Sequence, residues 1–322
     1  MPTFPWTGLV LQSTLSDVGV TVGLIGCGNW GKNIVRDLVS LGARVHVVAR
    51  SPASAARAFL AGALEIHPRL EDLPSALHGL VVATPNETHV QVLDQALELG
   101  VPVFVEKPMT TRASEASRLA GKGAGRLFSM DKWRYHPGVE EIARLASVGG
   151  LGRLLGLQST RVAWGEFHSS NDVVWHLSPH ELAIAYEVMG RVPEPRSAVI
   201  ERMDGAAVGM RALLGRDPWF AFEVSNRTPD RKREVRAFFE DGVAVLQDAY
   251  AEALLVYPGR GHEQRPTPER RLLSRELPLL RELRAFVEHL RGSGPPPRSS
   301  ADEAAGMIAA IERLHVLAGE GA

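Results

Sequence analysis

Through the first half of the chain, short runs of branched apolar residues alternate with stretches of helical periodicity. Val18–Ile25, Ala43–Ala49, Leu80–Ala83, Val101–Val105 and Arg126–Met130 read as strands. A Gly-rich turn follows the first strand and opens a helix that runs through about Leu41. Pro52–Leu64, with proline in its first turn, Glu87–Leu99, stopped by Gly100, and Ala113–Ala120 read as further helices. Strands alternating with helices predict a parallel, doubly wound sheet with crossover helices on both faces.

The second half has a different texture. A helix at Gly138–Ser147 leads to a strand at Leu154–Trp164, and a second helix, Leu177–Met189, ends at Gly190. Arg196–Met203, Ala206–Leu214, Trp219–Val224, Glu234–Phe239, Ala244–Gln247 and Ala253–Tyr257 are β-like runs punctuated by Asp204-Gly205 and Asp241-Gly242 turns. They predict a largely antiparallel open sheet with helices on one face. Gly259–Glu269 reads as an exposed polar loop, and Leu277–Leu290 and Ala301–Leu317 as closing helices. The fold class is α/β: a Rossmann-type domain over residues 18–131 and an α+β domain over 132–322. Residues 1–17 are expected to form a loosely held extension.

Composition narrows the chemistry. The 322 residues fit two domains. A net charge of −1, with no dense basic tract, argues against nucleic acid as a partner. One cysteine, Cys27, excludes an internal disulfide and any multi-cysteine metal site. No apolar run approaches the roughly 20 residues of a bilayer span, and the N-terminus lacks a basic signal-like region. A cytoplasmic enzyme is therefore expected. Only five basic residues are lysines, so each lysine is worth inspecting.

Gly26-Cys27-Gly28-Asn29-Trp30-Gly31 fits GxGxxG, and it lies between a strand and a helix, the context a dinucleotide-binding turn needs. Gly26 would make the tight turn, Gly28 would let the backbone approach a pyrophosphate, and Gly31 would allow close helix–strand packing. Cys27 reads as a small residue in that turn, not as a redox centre. An acid is expected about 20 residues further on, gripping the ribose 2′-hydroxyl. Ala49 stands there instead, followed by Arg50 and Ser51, which could bind a 2′-phosphate. This favours NADP(H), with NAD(H) as the alternative; the competing reading of Arg50 is a solvent-facing side chain.

Two further segments end parallel strands, where ligands of open α/β sheets bind. One is Ala83-Thr84-Pro85-Asn86-Glu87-Thr88-His89; the other is Val105-Glu106-Lys107-Pro108. Lys107 would lie near a nicotinamide ring and could donate to a substrate oxygen as charge develops there. Asn86 reads equally well as a helix cap.

GLIGCGNWGKN at 23–33, ATPNETH at 83–89 and VEKP at 105–108, in this order and spacing, resemble the Gfo/Idh/MocA oxidoreductases. MDKWRYHP at 130–137 resembles the segment that follows the family's Rossmann domain, and DVVWHLSPHEL at 172–182 resembles its catalytic helix. The resemblance implies that Thr84, Pro85, Asn86, His89 and Glu106 join the glycine turn around the cofactor. It further implies that Lys107 polarises the reacting hydroxyl and that His180 protonates or deprotonates it. The family commonly has aspartate four residues before that histidine; this chain has His176, which would share a helix face with His180. His176 is thus a third catalytic candidate, or else a packing histidine. Arg134, Tyr135, Arg161 and Trp175 are candidates for substrate contact.

The resemblance implies hydride transfer between a nicotinamide cofactor and a hydroxyl or keto carbon of a sugar, cyclitol or nucleotide sugar. No metal is expected, because one cysteine and scattered histidines lack ligand spacing. An open sheet implies a homodimer or homotetramer. A non-catalytic dinucleotide sensor that has lost the proton relay is the rival reading, supported by His176. A third is an enzyme whose tightly held nicotinamide recycles within one catalytic cycle.

Overall fold

The computed structural model describes residues 19–165, 172–261 and 266–319. The expected extension at 1–17 and part of the expected loop at 259–269 lie outside them.

Six short strands form the first sheet: β1 (Thr21–Ile25), β2 (Arg44–Val48), β3 (Glu65–His67), β4 (Gly79–Val82), β5 (Val103–Glu106) and β6 (Leu127–Met130). Their order is β3-β2-β1-β4-β5-β6, every pair parallel. Every residue of β1, β4 and β6 is buried, which explains the continuous apolar runs: helices cover both faces. These crossover helices are α1 (Gly31–Ser40), α2 (Pro52–Leu60), α3 (His89–Ala96) and α4 (Ala113–Lys122). Strand order reverses between β1 and β4, and the crevice at their carboxyl ends is where such sheets bind dinucleotides. The sequence reading extended α2 to Leu64 and missed β3. Three residues with only His67 buried carry too little apolar pattern to register.

The second sheet has eight strands. They are β7 (Leu154–Trp164), β8 (Pro195–Met203), β9 (Ala206–Gly215), β10 (Trp219–Ser225), β11 (Arg227–Phe239), β12 (Gly242–Leu246), β13 (Ala253–Pro258) and β14 (Glu269–Leu272). The order is β14-β13-β12-β11-β7-β10-β9-β8; only β7 and β10 pair in parallel. On one face lie α5 (Pro137–Val148) and α6 (Val173–Met189). Asp172 caps α6 by accepting from the Val174 amide (2.7 Å), and left-handed Gly190 ends it. The opposite face leaves Trp164, Val199 and Leu213 exposed.

Helix α7 (Pro278–Leu290) belongs to the last part of the chain but packs on the first sheet. Its Leu283, Phe286 and Val287 join a core with Val22, Leu24 and Phe104, and the Phe104 and Phe286 rings lie 4.9 Å apart. Helix α8 (Ala301–Leu317), opened by a Ser300/Glu303 capping box, contributes to the cores of both sheets.

Candidate active site

The carboxyl ends of the parallel strands face α6 and the inner face of the second sheet across a cavity of about 550 Å³. Gly26 (φ +91°) turns the chain off β1; a Cβ there would meet the Ala83 carbonyl oxygen at 2.8 Å. At Gly31 a Cβ would lie 2.6 Å from the Gly26 carbonyl oxygen, so only glycine lets α1 start this close to the strand. At Gly28 a Cβ would meet nothing within 4 Å. The turn is therefore tight beneath and open above, beside the N-terminus of α1, which fits a pyrophosphate. Ser54 of α2 braces it: the Cys27 amide donates to Ser54 Oγ (3.3 Å), and Ser54 Oγ donates to the Cys27 carbonyl (3.0 Å). Burial pushes the Cys27 thiol up, away from reactivity. Asn29 is exposed in the same turn, as is Arg50 at the end of β2, and Ser51 caps α2 by accepting from the Ser54 amide (3.2 Å).

The loops after β4 and β5 are clamped together by buried His89. Its ring nitrogens lie 2.9 Å from the Thr84 carbonyl oxygen and 2.9 Å from the Pro108 carbonyl oxygen. Thr84 and Asn86 line the cavity, whereas Pro85 and His89 shape the loop behind it. The Lys107–Pro108 bond is cis, and Lys107 Nζ donates to the backbone carbonyl of His176 (3.0 Å), tying the β5 end to α6. Burial lowers the Lys107 pKa to about 8; Lys132 and Arg161 act in the same direction and Glu106 opposes them.

His176 and His180 line the same cavity one helical turn apart. Burial, reinforced by Lys107, Arg161 and Lys132, pushes His176 down to about 3 and His180 well below its ordinary value. Both imidazoles are neutral at physiological pH, and His180 Nδ1 is buried without a hydrogen-bond partner. Trp30 closes the near side: its indole N–H donates to Glu106 Oε1, and the Lys132 ammonium sits over its ring, 4.1 Å from the centroid.

Arg161 lines the cavity from β7, held by a buried ion pair with Glu181 and stacked over Trp133 at 4.3 Å. The other three substrate candidates lie outside the cavity lining. Arg134 is buried between Glu187 (3.1 Å) and Glu303 (2.9 Å), and the Tyr135 hydroxyl accepts from the Arg298 amide (2.7 Å). Trp175 stacks on His315, with ring centroids 5.7 Å apart.

Lys132, Arg233 and Glu282 are among the cavity residues that escaped the sequence reading as candidates. Lys132 was legible as one of five lysines, in a segment already singled out. Glu282 is 1% exposed and both its carboxyl oxygens lack hydrogen-bond partners; burial, then Glu106 and Asp131, pushes its pKa well up. Its signal was an acid on the inward stripe of α7, one turn from Leu279 and Phe286. Among the described residues, the trio of metal-type donors is His46, Glu65 and His67, on β2 and β3 away from this cavity. Its two rings bond to each other, nitrogen to nitrogen at 3.1 Å.

Inositol 2-dehydrogenase 2 of Saccharopolyspora erythraea is 28% identical over 58% of this chain, and the match spans only 59% of that relative. UDP-N-acetylglucosamine 3-dehydrogenase of Acidithiobacillus ferrooxidans is 25% identical over 71% of this chain and 74% of its own. Levoglucosan dehydrogenase, solved with NADH and levoglucosan, shares the fold with a TM-score of 0.82 at 15% identity, covering 94% of this chain and 97% of that one. Residues 20–124 match the family GFO_IDH_MocA, described as oxidoreductase family, NAD-binding Rossmann fold.

Proposed function

We propose that the protein is a nicotinamide-dependent dehydrogenase acting on a hydroxyl or keto carbon of a sugar, cyclitol or nucleotide sugar. The observation that carries this reading is the meeting of Lys107, His176 and His180 in one cavity beside the dinucleotide turn. When bound, the nicotinamide supplies the hydride acceptor or donor. On oxidation, the neutral Lys107 amine accepts the hydroxyl proton as the carbonyl forms; on reduction, the Lys107 ammonium returns it. A pKa of about 8 suits both directions near neutral pH. His180, neutral, holds the same oxygen by a hydrogen bond. This gives the proton to Lys107 and the orienting role to His180, the reverse of what the family resemblance implied.

Residues 18–131 form the dinucleotide domain in this reading and 132–322 the substrate domain, with α7 returning to brace the first. Arg50, with no acid at position 49, supports a preference for NADP(H) over NAD(H). The apolar face around Trp164, Val199 and Leu213 supports assembly into a homodimer or homotetramer. No helix among the described residues is long and apolar enough to cross a membrane, and the cytoplasm, which supplies both nicotinamide cofactors, is the proposed compartment.

The test is nicotinamide absorbance with a panel of sugars, cyclitols and nucleotide sugars, beside Lys107→Ala. Turnover should fall by at least about 100-fold in the variant while cofactor binding persists. Unchanged turnover would remove Lys107 from the chemistry. Cofactor binding without turnover on any substrate would favour the sensor reading that neutral His176 invites.

A further inference from the structure

Alternate residues of β2 and β3 share a face of the first sheet. Val45, Val47 and Ile66 turn toward the core that includes α1 and α7. His46, Glu65 and His67 therefore lie on the opposite face. Glu65 stands directly across from His46 in the register, and His67 follows two residues further along β3. The two histidines are 21 residues apart in the chain, so only the strand pairing brings them together.

Three donor atoms converge there. His46 Nδ1 lies 3.1 Å from His67 Nε2 and 3.6 Å from Glu65 Oε2, and His67 Nε2 lies 3.8 Å from the same oxygen. The two distances to the carboxylate are too long for hydrogen bonds. They suit donors arranged around one ion. The point equidistant from the three atoms lies about 2.0 Å from each, the length of a zinc–imidazole or zinc–carboxylate bond. The histidine side chains are only 11% and 10% exposed, whereas Glu65 is 62% exposed. The cluster is thus walled on the imidazole side and open on the carboxylate side, which leaves room for a water as fourth ligand. Two imidazoles and one carboxylate suit a borderline cation such as zinc; magnesium and calcium take oxygen ligands. Arg44, two residues before His46 on the same face, donates to Thr21 Oγ1 (2.9 Å). Its charge disfavours a cation held by attraction alone, so the ion must be one that forms coordinate bonds.

We propose that His46, Glu65 and His67 bind a zinc ion that ties the three-residue edge strand β3 to β2. The site lies outside the cavity, so its role is structural and the proposal is independent of the dehydrogenase reading. On loading, the ion replaces the hydrogen bond between the two rings. The proton shared by the inner nitrogens moves to the outer nitrogen of its own ring, both imidazoles stay neutral, and each inner lone pair goes to the metal.

Calorimetric titration of the untagged, chelator-treated full chain with zinc chloride tests it, with magnesium chloride as the control. Zinc should bind at one equivalent with a micromolar or lower Kd, magnesium should not bind, and zinc should raise the unfolding temperature. Glu65→Gln should weaken zinc about tenfold or more, and His67→Gln should abolish both the binding and the thermal shift. Glu65 is exposed, so its variant keeps the test decisive if His67→Gln does not fold. Cobalt(II) in place of zinc should give the visible absorption of a four-coordinate site in the wild type, reduced in Glu65→Gln. No zinc binding overturns the proposal. So does zinc affinity that is unchanged in Glu65→Gln, which would place the ion on other histidines.

Discussion

His176→Asp is the most informative single change, because it places a carboxylate on the α6 side of the cavity beside Lys107. Lys107 Nζ already touches the backbone of residue 176 at 3.0 Å, so a carboxylate on that residue would sit about 5 Å from the ammonium. At an effective dielectric of about 20, that separation is worth roughly 3 kcal/mol in favour of the charged lysine. One pH unit corresponds to about 1.4 kcal/mol, so the Lys107 titration should rise by about two units, from about 8 to about 10. The sign follows from the proposed roles. Reduction needs the ammonium, so wild-type kcat/KM in that direction should fall as pH rises through about 8. In His176→Asp the fall should move to about 10. Oxidation needs the free amine, so at neutral pH the variant should oxidise more slowly, by up to about 100-fold. His176→Asn, neutral like the native imidazole, should leave the profile near its wild-type position. A stopped-flow pH series with nicotinamide absorbance reads all of this. A wild-type profile without an inflection near 8, or an inflection that stays put in His176→Asp, would refute Lys107 as the proton carrier.

Arg50→Ala should weaken NADP(H) at least about tenfold, the worth of a charge-assisted phosphate contact, and leave NAD(H) unchanged; equal effects on both in a fluorescence titration would remove the case for phosphate recognition. The glycine turn separates stability from binding. Gly31→Ala drives a Cβ to 2.6 Å from a backbone oxygen and should cost about 1–3 kcal/mol in urea unfolding, while Gly28→Ala should unfold like wild type and lose cofactor affinity; the opposite pattern would reverse the roles of the two glycines. Glu282 carries a stability signature. Its folded pKa is raised, so the folded state keeps a proton that the unfolded state loses above about 4.5. Wild-type stability should therefore decline relative to Glu282→Gln as pH rises past that value, by up to about 1.4 kcal/mol per unit. Parallel denaturation curves for the two proteins at pH 5 and 7 would show that Glu282 is charged in the folded state.

What could be read in advance depended on whether a residue's role is set by its near neighbours in the chain. The parallel sheet was legible because strands buried on both faces are continuous apolar runs, and its glycine turn because the residues that make it are consecutive. Strand β11 was read only from Glu234 onward, since its first half is the polar run TPDRKR. Arg233, inside that run, looks like any solvated arginine; only its pairing with Arg161 across β7 turns it toward the cavity. The return of α7 to the first sheet was equally hidden, because a helical stripe announces an apolar face without naming its partner. The segment from Lys132 to Tyr135 is subtler still. It folds as a 3₁₀ turn, in which residues three apart eclipse. Trp133 and His136 therefore stack, 4.8 Å apart, and both line the cavity, while Arg134 and Tyr135 turn to the buried ion pairs behind. Choosing Arg134 and Tyr135 as substrate ligands took the right segment on the wrong period. An α-helical or extended reading cannot tell which side of such a turn faces the cavity, so the lining by Lys132, Trp133 and His136 follows from backbone geometry and not from residue type.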